Sequence, residues 1–96
     1  MAHEGYHESV DKLSAATMDF HRAVVSLIEE LEAVDWYNQR VEACTDPELK
    51  SVLAHNRDEE IEHAAMTLEW IRRQNLVFDK ELREKLFKTG PITHPQ

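Results

Sequence analysis

The stretch HNRDEEIEHAAMTLEW, residues 55–70, contains Glu60-x-x-His63. A carboxylate and an imidazole three residues apart share one face of a helix, so they can offer an oxygen and a nitrogen donor to one cation. On an ideal wheel of about 100° per residue with Glu60 as origin, His63 lies near 300°, Leu49 and Thr67 near 340°, Leu53 and Ile71 near 20° and Ala64 near 40°. Glu60 and His63 therefore point into an apolar stripe, whereas Glu59 and Glu62, near 260° and 200°, do not. On the preceding helical segment Glu30 shares its face with Ala23, Leu27, Val34 and Tyr37, and its neighbours Glu29 and Glu32 face elsewhere. Ionised carboxylates in an apolar stripe need hydrogen-bonding partners or a metal. Singly, each of these residues reads most simply as a satisfied core histidine or a glutamate paired with arginine. Two glutamates and a histidine converging on one level favour a metal.

Di-iron and di-manganese carboxylate bundles use one Glu from each of two helices and a Glu-x-x-His from each of the other two. One chain supplies half of that set in Glu30, Glu60 and His63. A two-fold axis would supply the rest, placing four carboxylates and two imidazoles at a subunit interface. Hard oxygens with imidazole nitrogen suit iron, manganese or zinc. In a purely structural oligomer, Arg40 or Arg57 would instead neutralise the inward carboxylates.

Two further groups lie on outer faces. His55, Glu59 and Glu62 step by four and three, and Glu29, Glu32 and Trp36 share a side of the first helical segment. Each reads as a weaker cation site or an access path, or equally as a solvated acidic face; an outward Trp36 also marks a contact surface. Met18 and Met66 could suggest haem ligation, but Met66 falls off the core stripe, near 240°, and reads as packing. No nucleophile–base triad and no glycine-rich phosphate loop is visible.

The elements that must position these donors follow from the apolar period. Leu13, Ala16, Phe20, Ala23, Leu27, Leu31, Val34, Trp36, Tyr37 and Val41 recur mostly at three- and four-residue steps, predicting one helix from about Ser9 to Ala43. CTDPEL then stops it and starts another. Pro47 disfavours helix at Asp46, and either Asp46 or a Thr45–Glu48 box caps the second helix, which runs to about Asn75. The short connection makes the pair antiparallel. A short third helix is predicted from about Asp79, as cap, to Lys88, with Leu82, Leu86 and Phe87 as an apolar patch, ended by Gly90-Pro91. The expected organisation is a flexible residue 1–8 segment, a helical domain over 9–88 and a flexible 89–96 tail. Two long helices cannot bury both apolar stripes alone, so an all-α hairpin with a short C-terminal helix that dimerises into a four-helix bundle is the expected architecture.

With 19 acidic against 11 basic residues and a net charge of −8 over 96 residues, the chain lacks the basic stripe that nucleic acid requires. Cys44 is the sole cysteine, which excludes an internal disulfide and a multi-cysteine metal framework. No signal peptide and no apolar segment of about 18 residues is evident, so a soluble cytoplasmic protein without membrane partners is expected.

The segments SLIEELEAVDWYNQR and DPELKSVLAHNRDEEIEHAAMTLEWIRR, with the later PIT, resemble the encapsulated ferritin family over about His21 to Thr93. The resemblance implies half a ferritin per chain, an annular decamer of five dimers, and a ferroxidase centre formed only across a dimer interface. It places metal ligands at Glu30, Glu60 and His63, a cation-access site at Glu29 and Glu32 beside Trp36, an outer cation site at His55, Glu59 and Glu62, and Tyr37 beside the di-iron centre. Iron is the implied metal, with calcium, manganese and zinc as further candidates at the same or secondary sites. The implied function is oxidation of Fe(II) to Fe(III) by dioxygen, for mineralisation and storage inside an encapsulin nanocompartment. Family members carry a C-terminal peptide that docks them in that shell, and none is obvious before Gln96. The alternatives are a non-enzymatic metal-binding module and a structural helical oligomer.

Overall fold

The computed structural model describes residues 5–93; residues 1–4 and 94–96, parts of the termini expected to be flexible, lie outside it. Among the described residues every regular element is helical. A 3-10 turn, Val10–Lys12, precedes α1 (Ala15–Ala43), α2 (Pro47–Gln74) and α3 (Leu76–Lys85). The first helix does not begin near Ser9 as expected. Leu13 is extended, and Ser14 caps α1 by accepting from the Thr17 amide at 3.1 Å. A serine hydroxyl satisfies an orphan amide better at a helix start than inside one, which is why the break falls there. Tyr6 lies against His21 of α1, with ring centroids 4.5 Å apart.

The α1–α2 turn resolves as an Asp46 cap. Its carboxylate accepts from the Leu49 amide at 2.8 Å, and Pro47 takes the first turn, where its missing N–H costs nothing. The twenty-nine residues of α1 span about 43 Å, so the antiparallel hairpin supplies most of the 51 Å long dimension of the molecule.

The third helix departs from expectation at both ends. It starts at Leu76, capped by Asn75, whose side chain accepts from the Phe78 amide at 2.8 Å. Asp79 is therefore not the cap but lies in the first turn, facing Arg72 of α2. The helix stops at Lys85; Phe87 then takes a left-handed conformation, φ 59°, and is fully exposed rather than packed with Leu82. Gly90, at φ 92°, turns the chain where a side chain would be strained.

The core of a single chain is very small. Among the described residues only Ile71, 1% exposed, and Ala64, 8% exposed, are buried. Leu31, Trp36, Leu49, Val52, Ile61 and Met66 remain exposed on the two long helices. That much unburied apolar surface on a hairpin is what a partner helix pair would cover.

Candidate metal centre

Glu30 sits on α1 and Glu60 on α2, each fifteen residues from Thr45 in the connection. In an antiparallel hairpin with a short turn, residues equidistant from the turn come level. Helical period sets their rotation, so both carboxylates face the crevice between the helices, and His63 follows Glu60 by one turn. Ligand atoms of Glu30, Glu60 and His63 all lie within 4.8 Å of one another, and all three residues are half-buried. This is the grouping the helical wheel predicted.

The group is electrostatically incomplete. His63 Nδ1 lies 3.0 Å from Glu60 Oε1. That hydrogen bond, against the opposing effect of burial and with help from the charges of Glu60, Glu30 and Glu59, holds the His63 pKa above its ordinary value. A cation that binds at the nitrogen facing Glu60 must compete with this contact. Glu30 has no such relief. Its Oε1 is buried without a hydrogen-bond partner. The arginines that could have neutralised these carboxylates are engaged elsewhere: Arg57 donates to Asn38 and Asp58 at 3.1 Å, and the Arg40 guanidinium lies 5.2 Å from the centre of the Tyr37 ring. A buried, orphaned carboxylate oxygen beside a second carboxylate and an imidazole fits a divalent cation of the iron, manganese or zinc type.

The remaining donors are spread out. Glu29 is exposed, yet it borders the same small cleft as Ser26, Glu30 and Glu60, so it stands at the mouth of the group. Ser26 escaped the sequence reading. Its position one turn before Glu30 was the available signal, and its hydroxyl donates to the Arg22 carbonyl at 2.8 Å. Glu32 is half-buried and Trp36 exposed. His55 Nε2 lies 3.2 Å from Glu59 on the solvent face, while Glu62 borders a separate cleft with Met66, Glu69, Trp70 and Arg73. Among the described residues of one chain, neither outer set converges as Glu30, Glu60 and His63 do. Tyr37 is half-buried, two turns beyond Glu30. Met18 is half-buried and Met66 exposed.

The family description EncFtn-like matches residues 5–89. The chain is 62% identical over 87 residues to the encapsulated ferritin-like protein of Rhodospirillum rubrum, covering 91% of this chain and 62% of that protein, so it spans less than two thirds of that relative's length. It is 53% identical over 88 residues to a ferritin-like protein of Thermotoga maritima, covering 92% of this chain and 77% of the relative. Among solved structures, that of protein ne0167 from Nitrosomonas europaea is similar at a TM-score of 0.89 and 66% identity, covering 94% of this chain and 99% of the other.

Proposed function

The chain belongs to the EncFtn-like family, and from that premise we propose that it is a ferroxidase, oxidising Fe(II) to Fe(III) with dioxygen at a di-iron centre shared by two copies. One observation carries the reading: Glu30, Glu60 and His63 converge within 4.8 Å, and one Glu30 oxygen is buried without a hydrogen-bond partner. Three donors do not close a two-metal site, so a second copy related by a two-fold axis brings the matching three and completes the four-helix bundle. The exposed apolar residues of the long helices are the surface that this pairing buries.

Fe(II) is the substrate; two ions each give one electron to dioxygen, which takes up two protons and leaves as hydrogen peroxide, and both ions become Fe(III). The chain's own groups prepare for this. Glu30 and Glu60 supply anionic oxygens that draw two cations into a partly dehydrated crevice, where charge attraction is stronger than in water. Glu60 also holds the His63 ring by its Nδ1 contact, so the imidazole is oriented before a cation binds. Glu29 and Ser26 border the cleft through which a hydrated cation reaches the group. Glu32 and Trp36 are assigned to that path and Tyr37 to the flank of the centre from the family resemblance, as is an outer cation site for calcium, manganese or zinc at His55, Glu59 and Glu62, which do not converge within one chain. Among the described residues no helix is long and apolar enough to cross a membrane. The relative's description as encapsulated supports the further proposal that the protein works inside a cytoplasmic encapsulin shell where Fe(III) is mineralised; the annular homo-oligomer, a decamer, is proposed from the family resemblance alone.

A structural oligomer with arginine-neutralised carboxylates is disfavoured, because Arg40 and Arg57 turn elsewhere. The test is aerobic Fe(II) oxidation by Glu30→Ala, Glu60→Ala and His63→Ala. Each is expected to fall to the uncatalysed rate; unchanged rates in all three overturn the reading. Cation binding without oxygen consumption by the unsubstituted protein would make it a metal-binding module instead.

A further inference from the structure

The joint between α2 and α3 is a single residue. Asn75 ends α2 and caps α3 in extended geometry, φ −136° and ψ 115°. Beyond this joint, α3 has little apolar hold on the hairpin. Leu76 and Val77 are 88% and 68% exposed, and the aromatic link is a tilted Phe78–Phe20 contact with centroids 6.3 Å apart. Burial of so little surface would leave the direction of α3 weakly determined.

A charged cluster sits on the inner side of the joint. Arg72, 23% exposed, donates twice to Glu69, at 2.6 and 2.7 Å, and also reaches Asp79 of α3. Arg73 donates to Glu69 at 2.7 Å and Arg83 to Asp79 at 2.8 Å. Every one of these bonds lies within a helix except Arg72–Asp79, which crosses from α2 to α3. The two-pronged grip of Glu69 on Nε and Nη2 fixes the plane of the Arg72 guanidinium, so its remaining nitrogen, Nη1, meets Asp79 in one orientation. Both partners are partly screened from water, where a charged hydrogen bond counts for more than on an open surface.

We propose that Arg72, clamped by Glu69, is the latch that sets the angle of α3 through Asp79, and that breaking this pair frees α3 as an arm while the hairpin stays folded. The latch holds the exposed edge of Leu76 and Val77 at a fixed place relative to the long helices. None of its residues belongs to the Glu30–Glu60–His63 group, so it stands or falls apart from the metal reading.

The experiment uses the full chain with spin labels on Cys44 and, within α3, on Glu84→Cys, diluted with unlabelled chain so that only within-chain distances are read. The expected result is one narrow distance in the latched protein and a broadened distribution in Arg72→Gln and Asp79→Asn. Amide exchange across α3 should quicken by about tenfold, the loss of a charged hydrogen bond, with α1 and α2 unchanged. Asp79→Asn leaves α2 intact and so keeps the test valid should Arg72→Gln disturb that helix. Phe78→Ala should broaden the distances less than either. Unaltered distances and exchange in both latch variants, or broadening by Phe78→Ala alone, overturn the proposal.

Discussion

Replacing Glu30 by glutamine should stabilise the metal-free protein and abolish most of its response to metal. The buried Oε1 of Glu30 has no hydrogen-bond partner, while the neighbouring Glu60 already has His63. An unsatisfied buried acceptor costs about 1–3 kcal/mol. Glutamine keeps the shape, removes the like charge from a group packed within 4.8 Å, and adds an amide that can donate to Glu60. A gain of about 1 kcal/mol moves the melting temperature of a domain this size by roughly 4–8 °C, so the metal-free variant should melt several degrees higher. Cation reverses the order. A ligand at one hundred times its Kd stabilises the unsubstituted protein by about 2.7 kcal/mol, and the variant, lacking one anionic oxygen per chain, by much less. The assay is far-UV circular dichroism melting at fixed protein concentration, in chelator and in anaerobic Fe(II) or Zn(II). A metal-free variant that melts lower, with an undiminished shift on adding metal, refutes the reasoning.

Metal should also drive assembly, because carboxylates from two copies repel until a cation sits between them; native mass measurement with and without Fe(II) should show the distribution move to larger species, and an unchanged one counts against the shared site. Ile71→Ala should cost about 2–5 kcal/mol in denaturant unfolding, as Ile71 is the most completely buried side chain among the described residues. Acid should loosen α3 before the hairpin. Hydrogen bonds from Arg72 and then Arg73 hold Glu69 at about 2, below its ordinary 4.5. Asp79 is also lowered: its partial burial acts upward, but Arg72 and Arg83 outweigh it. Groups with lowered pKa values stabilise the fold above their unfolded values, so this contribution is complete above about pH 4.5 and drains away towards pH 2. Amide exchange across α3 followed through that window should rise ahead of exchange in α2, and simultaneous loss of both would contradict it.

The convergence of Glu30, Glu60 and His63 was legible because helical period is local. The faces of Glu30, Glu60 and His63 depend only on spacing within their own helices, and no Pro or Gly interrupts either run around them. The Asp46–Pro47 start was legible for the same reason, although the choice between two caps needed the observed bond to Leu49. The helix ends that went astray share a cause. Ser14 and Asn75 act through one side-chain oxygen each, and nothing in the apolar period distinguishes them from ordinary helical positions. Asp79 looked like a cap because aspartate favours caps; its actual partner, Arg72, lies on another helix.

The order of residues along the chain thus determined which side chains share a face, where Pro47 divides the hairpin, and that two equidistant glutamates come level across it. Only the tertiary structure decided that the crevice closes to 4.8 Å around them, that Glu30 is left with a bare oxygen, that Arg40 and Arg57 turn away, and that α3 leaves at an angle held by Arg72. Faces follow from the repeat of a single helix, whereas burial and pairing depend on how separate helices approach one another, and no local spacing encodes that distance.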